Sequence, residues 1–569
     1  MLILGLHING AQSCAAVFKD TQIVFAVAEE RINRQKQSKD FPINAIKECM
    51  EFLKIDSIDE FDDIAVSWNP AINMKNINMS GFTSWRRYDA EWSYIVPNNL
   101  LSLSQNVEDQ MKLSWNHKGG KINFINHHIS HLSQAYYQSQ FNDCAIMISD
   151  EYSELPSITL ASMNNGKLTI IKEINFPHSL GAFYAMITEF LGFRPNSDEW
   201  KVMGAAAYGQ PTYYKKLKKL ISWNEKKLEL FLDLKYFNHF NMKEGTYISK
   251  LFTSFIGIQQ NTNTNNIKQE YYDLAASTQK LFEHITFKIL NSLQKKTDQK
   301  NIVVSGGSFM NSLLNGKILE NTTFKNLFIP YSCADNGGAI GSALWVAHQN
   351  HKIKKMNILQ NPYMGKEFSR EFIKKNLDKY KINYTKSNNI TRDTAKLIYE
   401  GNIVGWFQGR MEFGERALGN RSILADPRNL KMKALLNGSI KYRESFRPFA
   451  PAILKEFTSE YFDIPSNVEV PFMEQVYKIK KSKQSLVPAV VHEDGTGRLQ
   501  MVDKKVNGKF HKLIKEFYIL SNIPILINTS FNLNGEPIVY TVEDAIRTFY
   551  SSGLDILILG DYIIRKKIG

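Results

Sequence analysis

NIVVSGGSFMNSLL, residues 301–314, reads as an apolar strand (Ile302 to Val304) that leads into a double glycine, Gly306-Gly307, and then into a helix start. Strand, glycine turn and helix in that order are the building unit of an α/β fold, and the same grammar recurs on both sides. Upstream, Tyr272 to Leu293 sets Leu274, Leu281, Ile285 and Ile289 at helical spacing. Farther back, Asn126 to Gln138 has helical spacing, and Cys144 to Ser149 is an apolar strand that stops at Asp150. The N-terminus predicts a meander of three strands: Leu2 to Leu6, Cys14 to Phe18, and, after the turn Lys19-Asp20, Ile23 to Ala28. Downstream, the polar run HQNHKIKK and a turn at Pro362 read as a connector within residues 349–368. A second α/β unit is expected beyond it, with a helix to Glu400, a strand Ile403 to Phe407 and a late strand Ile523 to Ile527 running into Asn528. The expected domains are residues 1–355 and 365–569, and no internal repeat is detectable in the sequence.

Bulk properties agree with a multidomain protein, since 569 residues exceed what one hydrophobic core organises. With 43% hydrophobic and 22% charged residues the chain can bury proper cores. The formal charge of +14 comes partly from runs such as KKLKK (Lys215 to Lys219) and KIKKSK (Lys478 to Lys483), which read as solvated faces. Polyphosphate ligands account for part of the rest, and a nucleic-acid partner is disfavoured. Cys14, Cys49, Cys144 and Cys333 form no CxxC pair, which excludes a zinc cluster or a dithiol motif. The apolar opening from Met1 to Leu6 reaches Asn9 and Gln12 too early for a signal peptide, and no apolar run of about 18 residues follows, so a cytoplasmic protein without a membrane span is expected.

Two motif types carry chemistry. In HHISH, His127 and His131 lie four apart and share one face of a helix, suitable for two imidazoles on one metal ion. Asp150 and Asp335 could complete a set of two histidines and two carboxylates, which suits a divalent transition metal: Fe(II) first, with Mn or Zn as alternatives. The glycine-rich pieces SGGSFMN (Ser305 to Asn311) and ADNGGAIG (Ala334 to Gly341) could bring backbone N–H groups to phosphates, or could be turns alone. Neither is a GxGxxG or a Walker A loop, which disfavours a Rossmann dehydrogenase or a P-loop enzyme.

HHISH, KVMGAAAYG (Lys201 to Gly209), SGGSFMN and ADNGGAIG together resemble the large domain of the nodulation and antibiotic O-carbamoyltransferases, of the tobramycin carbamoyltransferase type. GWFQGRMEFGERALGNRSILADPR (Gly405 to Arg428), KYRESFRPFAPAIL (Lys441 to Leu454), VVHEDGTGRLQ (Val490 to Gln500) and INTSFNLNGEPIV (Ile527 to Val539) resemble that family's second domain, in the expected order. The resemblance implies an actin-like ATPase (ASKHA-type) domain followed by a smaller YrdC-like α/β domain. It implies a metal on His127, His131, Asp150 and Asp335, and a nucleotide near Lys201, Gly204, Gly306, Gly307 and Asn311. The YrdC-like signature corresponds to Lys441-Tyr-Arg443 and Ser530-Phe-Asn532, with Asn528 beside it. Arg416, Arg421, Arg447 and Arg498 join that set as forked charges for carbamoyl phosphate and ATP.

The implied reaction is formation of carbamoyl-adenylate from carbamoyl phosphate and Mg-ATP, then transfer of the carbamoyl group to a hydroxyl of a small acceptor. The chain departs from the pattern at Asn9-Gly10-Ala11-Gln12-Ser13, where the family has a His-Asp pair, which leaves His7 as the candidate base. Glu151, Glu415 and Asn534 also replace the family's usual residues. Two other readings compete: a tRNA threonylcarbamoyladenosine-type enzyme, and an ATP-binding scaffold without catalysis.

Overall fold

The computed structural model describes residues 1–8, 10, 12–69, 72, 106–115, 117, 121–241, 245–264, 266–356, 360–441 and 447–566. The chain forms two compact units, one of residues 1–24 and 39–358, the other of 25–38 and 359–569. Both are mixed α/β. Among the described residues, no helix is long and apolar enough to cross a membrane.

The first unit contains strands β1 (Leu2–His7), β2 (Cys14–Lys19), the first three residues of β3 (Gln22–Ala28), β4 (Asp63–Val66) and β5 (Ile122–Phe124). It continues with β6 (Cys144–Ser149), β7 (Pro156–Asn164), β8 (Lys167–Asn175), the small pair β9 (Ile221–Asn224) and β10 (Glu229–Leu232), then β11 (Asn301–Ser305) and β12 (Asn326–Phe328). One sheet has the order β3-β2-β1-β4-β5 and the other β8-β7-β6-β11-β12. In each, the third strand of the order is antiparallel to its preceding neighbour and parallel to the next. The unit is therefore a topological duplication, in keeping with an actin-like fold. The sequence conceals the repeat because burial pattern, not residue identity, is what each strand must preserve.

Local chemistry explains the elements. CAIMIS of β6 is buried at every position, as a central strand covered on both faces requires. Asn165 and Gly166, at φ 49° and 77°, close the β7–β8 hairpin, since a two-residue turn of this hand needs positive φ at both positions. Asn-Gly is the residue pair that such a turn favours. The helix expected over Tyr272 to Leu293 runs longer, Gln269–Thr297, with Leu274, Leu281, Ile285 and Ile289 buried.

The helix Gly337–Trp345, at the end of the ADNGGAIG motif, packs against both β1 and the histidine-bearing helix His127–Gln138. A Cβ on Gly341 would lie 1.8 Å from the Ser130 carbonyl oxygen, and one on Gly5 would lie 2.0 Å from that of Ala339. These glycines let backbone approach backbone.

The second unit holds one nine-stranded sheet built from β13 (Thr385–Lys386), β14 (Val404–Phe407), β15 (Arg421–Ala425), β16 (Ala450–Leu454), β17 (Gln475–Lys478), β18 (Thr496–Val502), β19 (Ile525–Ser530), β20 (Ile556–Leu559) and β21 (Tyr562–Arg565). Its order is β13-β21-β20-β14-β15-β19-β16-β18-β17, a mixture of parallel and antiparallel pairs. The late strand predicted over Ile523 to Ile527 begins at Ile525 and continues to Ser530, which puts Asn528 and Ser530 inside the sheet.

A backbone carbonyl cannot swing away as a side chain can, so Gly341→Ala should destabilise the first unit by about 1–3 kcal/mol, the usual cost of overpacking. Chemical denaturation of wild type and variant measures this, and coincident midpoints would show that the two helices have room to separate.

Candidate functional site

The site in the first unit grows from three element ends. The helix His127–Gln138 presents His127 and His131 on one face, one turn apart. Asp150 follows the last residue of β6, and Asp335 lies in the turn before the helix Gly337–Trp345. His127 Nε2 and His131 Nε2 are 3.2 Å apart, and Asp335 Oδ1 is 3.6 Å and 3.9 Å from them respectively. Asp150 Oδ2 is 3.4 Å from His131 Nε2 and 3.9 Å from His127 Nε2. Three of the four expected ligands, His127, His131 and Asp335, thus converge, and Asp150 lies beside the two histidines.

Metal bonds of about 2.1 Å place neighbouring ligand atoms about 3.0–3.4 Å apart in octahedral or tetrahedral geometry. The observed separations are equal to or a few tenths of an ångström wider than that range. Among the described residues His127, His131 and Asp335 bring ligand atoms within 4.8 Å of one another, a set that fits a divalent transition ion, and Asp150 Oδ2, buried without a hydrogen bond, lies beside the two imidazoles.

Supporting contacts hold Asp150 and the start of the histidine helix. The Gly307 N–H donates to Asp150 Oδ1, and a Cβ on Gly306, at φ 99°, would lie 2.4 Å from the Ser149 carbonyl oxygen. Glu154 accepts from the backbone N–H of His127 at 2.9 Å and of Asn69 at 2.7 Å, and so holds the first turn of the histidine helix. His128 pairs its Nδ1 with Thr159 Oγ1 at 2.8 Å and turns its Nε2 toward Asp150 Oδ2 at 3.7 Å.

His7 pairs its Nδ1 with Ser67 Oγ at 2.8 Å, and its Nε2 lies 3.9 Å from Asp335 Oδ2. Only a glycine fits opposite, because a Cβ on Gly10 would stand 2.6 Å from His7 Nε2 and 2.7 Å from Asp335 Oδ2.

Burial and charge polarise this cluster. Burial depresses His127, but its hydrogen bond to Asp335 and the nearby carboxylates outweigh that and lift it to about 9. Burial, aided by Asp335, raises Asp150 to about 7, while His127 and its neighbours hold Asp335 below the usual carboxylate range against burial. Burial lowers His7 to about 4 and also depresses His128 and His131, which the His127 charge pushes down further. Glu151, raised by burial to about 7, accepts hydrogen bonds from Tyr247 and Asn196.

The other residues expected at a nucleotide have internal partners. Lys201 pairs with Asp198 at 3.2 Å and sits 5.2 Å from the Phe193 ring centre. Gly204 is half-buried in the helix Glu199–Ala205. Asn311 caps the helix Ser312–Asn321 by accepting from Leu314 N–H, and exchanges two hydrogen bonds with the Gln279 amide.

In the second unit, Lys441 is 4% exposed and donates to the carbonyl and hydroxyl of Ser530 and to the carbonyl and side-chain oxygen of Asn532. Asn528 donates to Gln500 Oε1 at 2.7 Å, and Gln500 in turn donates to the Leu418 carbonyl. Arg421, expected to face phosphate, is fully buried. Its Nη groups donate to the carbonyls of Gln408, Gly409, Asn420 and Lys366, and its plane lies 3.7 Å from the Phe407 ring centre. Burial lowers its basicity to about 10.

Arg416, Arg447 and Arg498 are half-buried, and Arg443 lies outside the described residues. Near Arg498, His492 is held down to about 4, by burial first. Glu412 Oε1 accepts from the N–H groups of Leu418, Asn420 and Arg421 and so shapes the loop that bears Arg416.

Glu154, Ser67 and Glu412 escaped the sequence reading, and His128 was quoted there without a role. The only signal for Glu412 was a carboxylate set among glycines and arginines.

Residues 2–344 match the family described as Carbamoyltransferase N-terminus, and residues 395–566 the one described as Carbamoyltransferase C-terminus. The nodulation protein NolNO of Sinorhizobium fredii is 34% identical over 97% of this chain and 78% of its own length. The nodulation protein NolO of Bradyrhizobium diazoefficiens is 35% identical over 78% of this chain and 79% of its own length. The 3'-hydroxymethylcephem-O-carbamoyltransferase of Streptomyces clavuligerus is 29% identical over 53% of this chain and 56% of its own length.

If the four donors hold a metal, wild-type protein should carry about one equivalent of a transition ion and His127→Ala none. Elemental analysis after gel filtration decides this, and equal content in the two folded proteins would assign the cluster to structure alone.

Proposed function

The chain belongs to the carbamoyltransferase family and is an enzyme of that class, and we propose that it makes carbamoyl-adenylate from carbamoyl phosphate and ATP and passes the carbamoyl group to a hydroxyl of a small acceptor. The observation that carries the first step is the meeting of Lys441 with Ser530 and Asn532. These are the separated halves of a YrdC-like signature, brought together at one buried ammonium. A buried cation favours an anionic ligand placed beside it.

The balance of the first step follows from its atoms. Carbamoyl phosphate is hydrolysed to carbamate and phosphate, a carbamate oxygen attacks the α-phosphorus of ATP, and pyrophosphate leaves. Lys441 and the arginines Arg416, Arg447 and Arg498 offset the charge of the phosphate oxygens.

In the second step the acceptor oxygen attacks the carbamoyl carbon, the bond to the AMP oxygen breaks, and the hydroxyl proton leaves for a base. His7 is the candidate base: burial keeps its imidazole neutral, Ser67 orients it, and its Nε2 is turned toward Asp335 without a hydrogen bond. A divalent ion on His127, His131, Asp150 and Asp335, iron first by donor type, would supply positive charge to the reacting oxygens. Asp150 keeps its orientation through the Gly307 N–H, Glu154 holds the backbone at His127, and Ser305 Oγ meets His131 Nδ1 at 3.3 Å.

Two variants separate the half-reactions. Lys441→Ala should abolish pyrophosphate release from ATP and carbamoyl phosphate while metal content stays normal. His131→Ala should still release pyrophosphate but lose about a thousandfold or more in transfer to the acceptor, equivalent to about 4 kcal/mol of barrier. Normal transfer by folded His131→Ala protein would sink the assignment of the two steps to two sites.

A further inference from the structure

The short stretch AEERINRQKQS, residues 28–38, lies near the N-terminus, yet residues 25–38 cluster with the second unit. Two arginines on and just after the helix Glu29–Asn33 explain why. Arg31, 7% exposed, donates from Nη2 to the Gly414 carbonyl at 3.0 Å, while Glu30 Oε1 lies 3.3 Å from its Nη1. Gly414, at φ 109°, stands two residues before Arg416.

Arg34 reaches a different loop. Its Nη1 donates to the Ile538 carbonyl at 2.7 Å and its Nη2 to the Pro537 carbonyl at 2.8 Å, with Asp544 Oδ1 3.5 Å from Nε. Asp544 in turn accepts from the N–H groups of Tyr540 and Thr541 and caps the following helix.

These contacts continue inward to the anion site. Pro537 follows Glu536, whose carbonyl accepts from Asn532 Nδ2 at 2.6 Å. Asn532 Oδ1 accepts from Lys441 Nζ at 2.8 Å. One unbroken series therefore runs from Arg34 through Pro537, Glu536 and Asn532 to Lys441, and Arg31 fixes the loop of Arg416. The arginine charges are locally balanced by Glu30 and Asp544, so their role here is geometric rather than long-range electrostatic.

We propose that Arg31 and Arg34 are positioning residues for the anion site of the second unit, each holding a phosphate-binding loop by its backbone carbonyls. The proposal rests on the reading of that site as the place of adenylate formation. A planar fork holds two carbonyls at once, which a single ammonium cannot do with the same geometry. Displacing a binding group by about 1 Å can cost on the order of a hundredfold in rate. The C-terminal family match begins at residue 395 and contains neither arginine, so the second unit's chemistry depends on the first forty residues of the chain.

The test uses the full-length protein with Arg34→Lys and Arg34→Ala, following carbamoyl-phosphate-dependent pyrophosphate release, thermal midpoint and metal content. Arg34→Lys should melt close to wild type and keep its metal, yet raise the KM for carbamoyl phosphate about tenfold or more. Millimolar guanidinium should restore part of the activity lost in Arg34→Ala. A wild-type KM and kcat in Arg34→Lys overturn the proposal, and so does a loss that only follows the melting curve and is not rescued by guanidinium. If wild type itself releases no pyrophosphate, the adenylate reading fails separately. Calorimetry with inorganic pyrophosphate then decides the positioning role: about tenfold weaker binding by Arg34→Lys upholds it and equal binding overturns it.

Discussion

The first unit depends on how near two helices can come. Gly341 faces the Ser130 carbonyl at a distance that admits no Cβ, and Gly5 does the same for Ala339 on the other side of the helix Gly337–Trp345. Ser130 lies between His127 and His131, while Asp335 lies just before the glycine helix. The separation of the two backbones therefore sets the distance from imidazole to carboxylate, which is 3.6 Å for His127 and 3.9 Å for His131. Interiors are packed densely enough that one added methyl group is felt at the contact and beyond it. A motif that looks like a phosphate turn acts here as a spacer of zero thickness. The first amides of its helix are already bonded, Gly337 to the Ala334 carbonyl and Gly338 to that of Asp335.

Much of this was legible beforehand, for reasons that differ residue by residue. The i, i+4 histidines announce a shared face because a helical turn is 3.6 residues long, and Asp150 is marked by the strand that it ends. The continuous apolar run of β6 told of a buried strand. Glu154 was not legible, because a carboxylate 27 residues downstream acts on His127 only through the tertiary fold. ADNGGAIG remained ambiguous, since a phosphate loop and a close helix contact both call for a missing Cβ. The duplicated sheet order left no trace in the letters, because apolar residues of similar size exchange freely within each strand.

The two clusters differ in the sign of charge that they are built to receive. The first brings four buried imidazoles and buried Asp150 together with half-buried Asp335, where desolvation makes a proton or a metal cation the natural counter-charge. The second brings backbone and side-chain oxygens of Ser530 and Asn532 to the buried Lys441 ammonium. Burial raises Asp150, with Asp335 adding to the rise, and burial lowers His492, with Arg498 adding to the fall. On the proposed reading, one chain would offer a cation site and an anion site, which a reaction with phosphate leaving groups and an alcohol nucleophile requires.

Arg421 and Lys441 show why a cation in a motif does not by itself locate an anion. Arg421 meets only backbone carbonyls, and Phe407 covers its face. Backbone oxygens cannot move aside without distorting a strand or a turn, so this guanidinium is committed to the fold. Lys441 donates to side-chain as well as backbone oxygens, Ser530 Oγ and Asn532 Oδ1 among them. Ser530 can rotate its hydroxyl at little cost and leave a proton of Lys441 for an incoming oxygen. The distinction lies in whether the acceptors are fixed or rotatable. Only a structure reveals that, because both residues stand in the same kind of sequence, among glycines, asparagines and aromatic rings.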